Sequence, residues 1–300
     1  MRLGDYRYLI MTFAAFNLSS TISDNLVPLR VHDHKFAFSV FIVAGLFEKR
    51  SSISSFILSL RCSLISAPYG VLHSHFVFRY LALYRSKVLM RYFVPYGLML
   101  TVLNCALPIT IWILICYQFL NADDERRFYM QSEIETYGGN VFDVNMLVAL
   151  YDEGSYDAML KSWFGIGTIS VVSVAYVITD VVLGILIFRK LKDAALIMSA
   201  KTRNIQKQFV KALIVQVTVP MLASFLPCLF AWYRPIFNVS TGQWIDAIDA
   251  IAISFFPVLD PLALFYFVPV IANRLKQLFR TLRLKKKSKS NASQSSTVQS

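Results

Sequence analysis

The apolar positions of this chain form long continuous runs rather than a period-two alternation, so they read as membrane helices and not as strands of a barrel. A helix that crosses the hydrocarbon layer needs about 20 mostly apolar residues. Six stretches meet that need: residues 8–29, 51–78, 92–120, 166–188, 212–233 and 250–273. Asp24, Arg61, Asp180 and Asp260 are the single charges of four of them, and the other two carry none. The apolar piece at 36–47 has 12 residues, too few to cross. It is expected to dip at the outer interface or to extend the next helix. The predicted class is all-α, a transmembrane helical bundle.

Composition supports that reading. Of 300 residues, 56% are hydrophobic and only 16% charged, against roughly 25% charged in an average soluble domain. The N-terminus is no secretory signal, because Asp5, Arg7 and the polar run 17–20 interrupt any compact apolar region. Charge then orients the bundle. Residues 79–91 hold four cations and no acid, 189–211 seven cations and one acid, and 274–289 eight cations and no acid. The long connection 118–161 holds nine acids and three cations. Positive loops stay in the cytoplasm, so both termini are predicted inside. The net charge of +12 therefore sits beside spans, where anionic inner-leaflet lipid attracts it, and not on a nucleic-acid-binding domain. Residues 271–287 place Ile271, Leu275, Leu278, Phe279 and Leu282 on one helical face, which suits a helix lying along that leaflet. The membrane domain then covers 1–287, and the Ser- and Gln-rich residues 288–300 form a disordered tail.

Catalytic signatures are missing. There is no Gly-rich phosphate loop, no Cys-x-x-Cys pair and no Gly-x-Ser-x-Gly elbow, so neither enzyme nor cofactor is expected. His32 with His34, and His73 with His75, are His-x-His pairs, but a metal needs three or four convergent ligands, and no metal site is predicted. Cys62, Cys105, Cys116 and Cys228 lie in or next to spans and read as small buried hydrophobes, leaving the acidic loop without a disulfide. Asn238, in Asn-Val-Ser, is the glycosylation candidate in an outer loop. A charge inside a span usually faces the bundle interior and has a partner. Arg61 and Asp24 lie at compatible depths, and Asp260 is the second candidate for Arg61. Two readings stand for Arg61: a buried ion pair that fixes helix register, or the wall of a ligand cavity open to the outside. Prolines punctuate the spans, with Pro220 and Pro227, then Pro257 and Pro261, paired in the last two.

Four strings, in order, then become informative: Gly-Asp-Tyr-Arg-Tyr-Leu at 4–9, Phe-Val-Phe-Arg-Tyr at 76–80, Gln-Phe-Val-Lys-Ala-Leu-Ile-Val-Gln at 208–216 and Phe-Pro-Val-Leu-Asp-Pro-Leu at 256–262. Together they resemble the Str superfamily (Str- and Srj-like) of nematode seven-helix serpentine chemoreceptors, over nearly all of 1–287. The resemblance implies a G-protein-coupled chemosensory, olfactory-type receptor for a small-molecule odorant, signalling to a heterotrimeric G protein from the plasma membrane of sensory cilia. In that family the first string leads into helix two. The chain is therefore expected to lack helix one, its six spans matching helices two to seven, with poor folding and retention in the endoplasmic reticulum as the consequence. Arg79 and Tyr80 match the Arg-Tyr at the inner end of helix three, which contacts the Gα subunit. Asp260 and Pro261 match the helix-seven hinge, although Leu264 stands where a tyrosine is usual. Phe78 occupies the place where many other receptors carry an acid. A six-span channel or secondary transporter is the alternative reading, weakened by the absence of any internal repeat.

Overall fold

The computed structural model describes residues 6–42, 44–84, 87, 91–136, 140–194, 214–215, 217–219 and 221–238, with single positions between 244 and 281. The predicted hinge at Asp260 and Pro261, the amphipathic stretch 271–287 apart from Gln277 and Thr281, and the tail lie outside the described residues. Described helices are α1 (Tyr6–Leu26), α2 (Ser52–Ser63), α3 (Ala67–Tyr84), α4 (Leu98–Ile115), α5 (Asp124–Tyr129), α6 (Gln131–Thr136), α7 (Tyr156–Ala194) and α8 (Leu226–Tyr233). Strands β1 (Leu29–His34), β2 (Ala37–Ile42) and β3 (Met146–Leu150) form one antiparallel sheet in the order β1-β2-β3.

Among the described residues, three continuous helical stretches are long and apolar enough to cross a membrane. They are Ser52–Tyr84, in which a short 3-10 turn joins α2 to α3, Phe93–Leu120 around α4, and Tyr156–Asp193 in α7. Their surroundings differ. The most apolar window of Ser52–Tyr84 is 67% buried, against 28% for Phe93–Leu120 and 17% for Tyr156–Asp193. The α2–α3 rod is thus the central post of the bundle, and α4 and α7 turn broad apolar faces outward. Met99, Leu103 and Leu107 on α4, and Val171, Ile178 and Ile185 on α7, are all exposed, as lipid-facing side chains must be. The polar residues point the other way. Ser59, Ser74 and Ser173 are buried and each returns its hydroxyl to the carbonyl four residues earlier at 2.8 Å, so none of these three hydroxyls is stranded. Gly70 lets α3 and α4 touch, because a Cβ there would lie 2.6 Å from the carbonyl oxygen of Asn104.

The piece at 36–47 overturns its sequence reading as an interfacial dip or helix extension. Most of it is the central strand β2, paired with β1 across a two-residue turn in which Lys35 takes a left-handed φ of 48°. Every residue of β2 is buried. Phe38, Val40 and Ile42 face the helices, while Ala37 and Phe41 join an outer core under α5 and α6. A strand covered on both faces has no polar alternation and looks like a short span. The sheet is an addition to a mostly helical architecture; of the predicted spans, 212–233 is described only in part and 250–273 only at single positions.

The acidic connection 118–161 folds as well. It supplies α5, α6 and β3, and α7 starts at Tyr156, ten residues before the predicted span. At 1.5 Å per residue its 39 residues reach about 58 Å, well past the hydrocarbon layer. Two arginines hold this cap together. Arg126 donates to the carbonyls of Phe119 and Ala158 at 2.8 Å, and Arg127 to those of Val141 at 2.8 Å and Val144 at 2.6 Å. Both are 1% exposed. Burial holds the Arg127 guanidinium down to about 10 and lowers Arg126 as well. Where no disulfide pins the loop, these two side chains staple it.

Candidate functional site

Between the sheet and the helices lies a cavity of about 60 Å³. Its roof is Val31, Phe38, Val40 and Ala149, from all three strands. Its walls and floor include Arg61 and Cys62 of α2, Trp112 of α4, Ile166 and Ile169 of α7, and Cys228, Ala231 and Trp232 of α8. The alternation of the strands builds the roof, since only every second residue of each strand faces down. Trp112 and Trp232 meet edge to face, with ring centroids 5.5 Å apart. Arg61 is the one charged residue among the described residues of the lining.

Arg61 comes off α2 and meets Asp24 of α1, Nη2 against Oδ1. Arg61 is 3% exposed, so its charge is neutralised inside the protein. Arg61 is therefore a member of an ion pair and also lines the cavity. Asp260, its other candidate partner, lies outside the described residues.

A second pair escaped the sequence reading. Asp33 at the end of β1 accepts from Arg234 Nε at 2.6 Å, just beyond α8, and both side chains are buried. Tyr151, after β3, donates its hydroxyl to the carbonyl of Trp232 at 2.6 Å. The top of α8 is thus tied to the roof at two points. Nothing in the chain announces a contact across 201 residues, and the alternation that aims Asp33 downward appears only once β1 is known to be a strand. The same alternation aims His32 and His34 upward, where both meet one carboxylate, Glu133 of α6, at 3.1 and 3.0 Å. Among the described residues no group of His, Cys, Asp and Glu is arranged to hold a metal ion.

Deeper in the bundle, His73 Nδ1 lies 2.8 Å from Asp180 Oδ1, joining α3 to α7. Asn104 of α4 donates to the Gly70 carbonyl at 2.8 Å and to Ser74 Oγ at 3.0 Å, and accepts from Tyr176 of α7 at 3.3 Å. The sequence reading treated His73 as an ordinary histidine and named Asp180 without a partner. At the inner end of α3, Arg79 is buried and Tyr80 stacks on Tyr84, with ring centroids 4.5 Å apart. Phe78, in the acid's place, packs against Phe93 at 4.8 Å. Asn238 sits exposed at a left-handed turn after α8.

The model for the serpentine-type seven-transmembrane G-protein-coupled chemoreceptor Srj matches residues 1–275. The chain is 34% identical over 279 residues to serpentine receptor class J-38 of Caenorhabditis elegans, covering 93% of this chain and 84% of that one. It is 26% identical to serpentine receptor class r-10 of Caenorhabditis briggsae, covering 98% and 86%. To the G-protein coupled receptor str-33 of Caenorhabditis elegans it is 24% identical, covering 92% and 81%. No solved structure matches it.

Proposed function

The chain belongs to the Srj family of serpentine-type seven-transmembrane chemoreceptors, and from that premise we propose that it detects a small chemical cue in the cavity beneath the sheet and relays its binding to a heterotrimeric G protein. It is an integral membrane protein and a G-protein-coupled chemoreceptor, of a family that is not enzymatic. The proposal adds where the cue binds and how the signal travels.

One observation carries it: one cavity touches both the roof and α8, and α8 is fastened to that roof by Arg234–Asp33 and Tyr151–Trp232. A ligand shifts an equilibrium only if it fits one arrangement better than the other. A cue wedged between Trp112, Trp232 and the strands changes how α8 seats against the roof. The inner end of α8's segment then moves relative to α3, where Arg79 and Tyr80 are assigned to Gα contact. Asp260 and Pro261 are assigned to the hinge of the last span, Asn238 to glycosylation, and the basic inner loops to the anionic leaflet and the G protein. The site of action is the plasma membrane of sensory cilia.

The test is a reporter cell that expresses the chain with a promiscuous Gα and is exposed to a panel of short-chain volatile ketones, alcohols and esters. Ala231→Phe fills the cavity and is expected to abolish any response while surface labelling persists. Arg79→Ala is expected to silence signalling with cue binding retained. A response that survives Ala231→Phe at full strength puts the cue elsewhere and overturns the reading.

A further inference from the structure

Two buried hydrogen-bond donors on the cavity lining have no acceptor: Nε–H of Arg61 and Nε1–H of Trp112. Both residues are nearly sealed from solvent, at 3% and 2% exposed. Buried donors are almost always paired, and one left alone is penalised by the full loss of its water. The indole offers only that one donor, and the guanidinium has already turned Nη2 to Asp24. Among the described residues the rest of the lining is aliphatic, aromatic or thiol. Those residues make the space apolar, with two unpaired donors and few acceptors.

Resting on the cavity assignment made above, we propose that the cue is an uncharged molecule carrying a hydrogen-bond acceptor and no donor, a small carbonyl compound, held by the Arg61 and Trp112 Nε–H groups.

Size bounds the class. On the measure by which one water needs about 10–15 Å³, a cavity of about 60 Å³ has room for roughly four to six non-hydrogen atoms. Charge bounds it too. The Arg61 cation is already matched by Asp24, and an entering carboxylate would leave two anions around one guanidinium in a dry site. An alcohol brings a hydroxyl proton that finds only sulfur or helix and sheet carbonyls that are already used. A ketone or aldehyde oxygen accepts from the wall while its alkyl groups meet Trp232, Phe38 and Val40.

Three probes of nearly one shape separate these terms: acetone, 2-methylpropene and acetate. The full chain, ¹⁵N-labelled at tryptophan in lipid nanodiscs, is titrated with each. Trp112→Phe assigns the Trp112 indole resonance by deleting it, and keeps a ring against Trp232. Acetone is expected to move the Trp112 indole proton downfield and to bind at least fivefold more tightly than 2-methylpropene, since one neutral hydrogen bond contributes about fivefold and the Arg61 donor adds to it. In Trp112→Phe the preference for acetone is expected to shrink to what the Arg61 Nε–H alone supplies. Acetate is expected not to bind. Equal binding of acetone and 2-methylpropene to the wild type, or tighter binding of acetate, overturns the carbonyl class and leaves the cavity assignment standing. If no probe perturbs the Trp112 or Trp232 resonance, the cavity assignment falls, and this inference with it. Should Trp112→Phe fail to fold, the ranking of acetone over 2-methylpropene on the wild type decides alone.

Discussion

The outer cap and the helical bundle each bury arginines, and they neutralise them in opposite ways. In the cap, Arg126 and Arg127 are satisfied mainly by backbone carbonyls. Within the bundle, Arg61 is satisfied by a carboxylate, Asp24. The difference follows from what each region leaves unpaired. A membrane helix uses its carbonyls on its own amides, so a buried cation there must find a counter-ion on another helix. Irregular cap segments end helices and strands, and their carbonyls are open to a guanidinium fork. Carbonyl-held arginines fix chain path. A carboxylate-held arginine fixes how two helices sit together. The cap is thereby a rigid roof, and the bundle keeps its charge at the cavity wall.

Removing an arginine staple is the harshest way to break this comparison. Arg127→Met strands the carbonyls of Ala122, Val141 and Val144 in the outer core. Bonds from a charged donor contribute about 1.5–3 kcal/mol each, so the loss is expected at about 4 kcal/mol or more. Thermal unfolding of the detergent-purified chain is expected to fall steeply, with the cap exposed to protease before the helices unfold. Arg127→Lys keeps the charge but not the fork and is expected to recover less than half. If Lys restores full stability, charge rather than geometry is what the cap needs.

Next in size is the bundle pair. Asp24→Asn leaves Arg61 buried beside a neutral amide, a loss expected at about 3 kcal/mol. Because this pair is a contact of two side chains and not of a side chain with backbone, exchanging them should work: Asp24→Arg with Arg61→Asp is expected to recover surface expression lost in each single variant. The cap arginines admit no such exchange. Cell-surface labelling of the four chains reads the result, and an exchange no better than the single variants would remove the counter-ion account of Arg61.

The same contrast explains what could be read beforehand. Depth along a span is a one-dimensional quantity, so Arg61 and Asp24 could be matched from their positions alone. The long helices around Arg61, Trp112 and Asp180 stand out because lipid accepts apolar side chains on every face. The cap hid for the reverse reason. A strand buried on both sides, such as Ala37–Ile42, shows an unbroken apolar run with no period. Arg126 and Arg127 stand among acids in the sequence and look like solvent-facing charges. Their acceptors are carbonyls, which every residue carries and no sequence marks. The partnership of Asp33 with Arg234 needed the register of a hairpin before either side chain had a direction. At the site, then, Arg61 was legible, while the roof, Trp112, Trp232 and the α8 ties were not.

A smaller effect is expected deeper in the bundle, at His73 and Asp180. Asp180→Asn keeps the shape and one hydrogen bond to His73 while removing a charge-assisted one. A destabilisation of about 1–2 kcal/mol is expected. Since this contact joins α3 to α7 on the inner side of the cavity, basal G-protein activation is expected to rise in the reporter cell. Unchanged basal signalling with lowered stability would make the pair a structural clasp alone.

The smallest effect returns to the cap, where carbonyls are not the only device. His34 of β1 meets Glu133 of α6, with His32 on the other oxygen of the same carboxylate, Lys35 adjacent, and the ring of Tyr129 edge-on at 5.8 Å. Burial lowers the His34 pKa below its ordinary value, against the pull of Glu133, with Lys35 and His32 lowering it further. The folded cap therefore prefers the neutral imidazole, while the unfolded chain takes up its proton near pH 6.5. Stability from this site is present above that pH and is lost as pH falls through it. For a half-buried group the change is discounted for solvent screening to about 0.5 kcal/mol between pH 7.5 and 5.5. His34→Gln is expected to flatten that slope in cap-selective proteolysis while leaving the Arg127→Met defect untouched. If acid instead tightens the wild-type cap, the attraction of protonated His34 for Glu133 outweighs its burial, and the cap would then hold one of its histidines as the bundle holds Arg61, by a counter-ion.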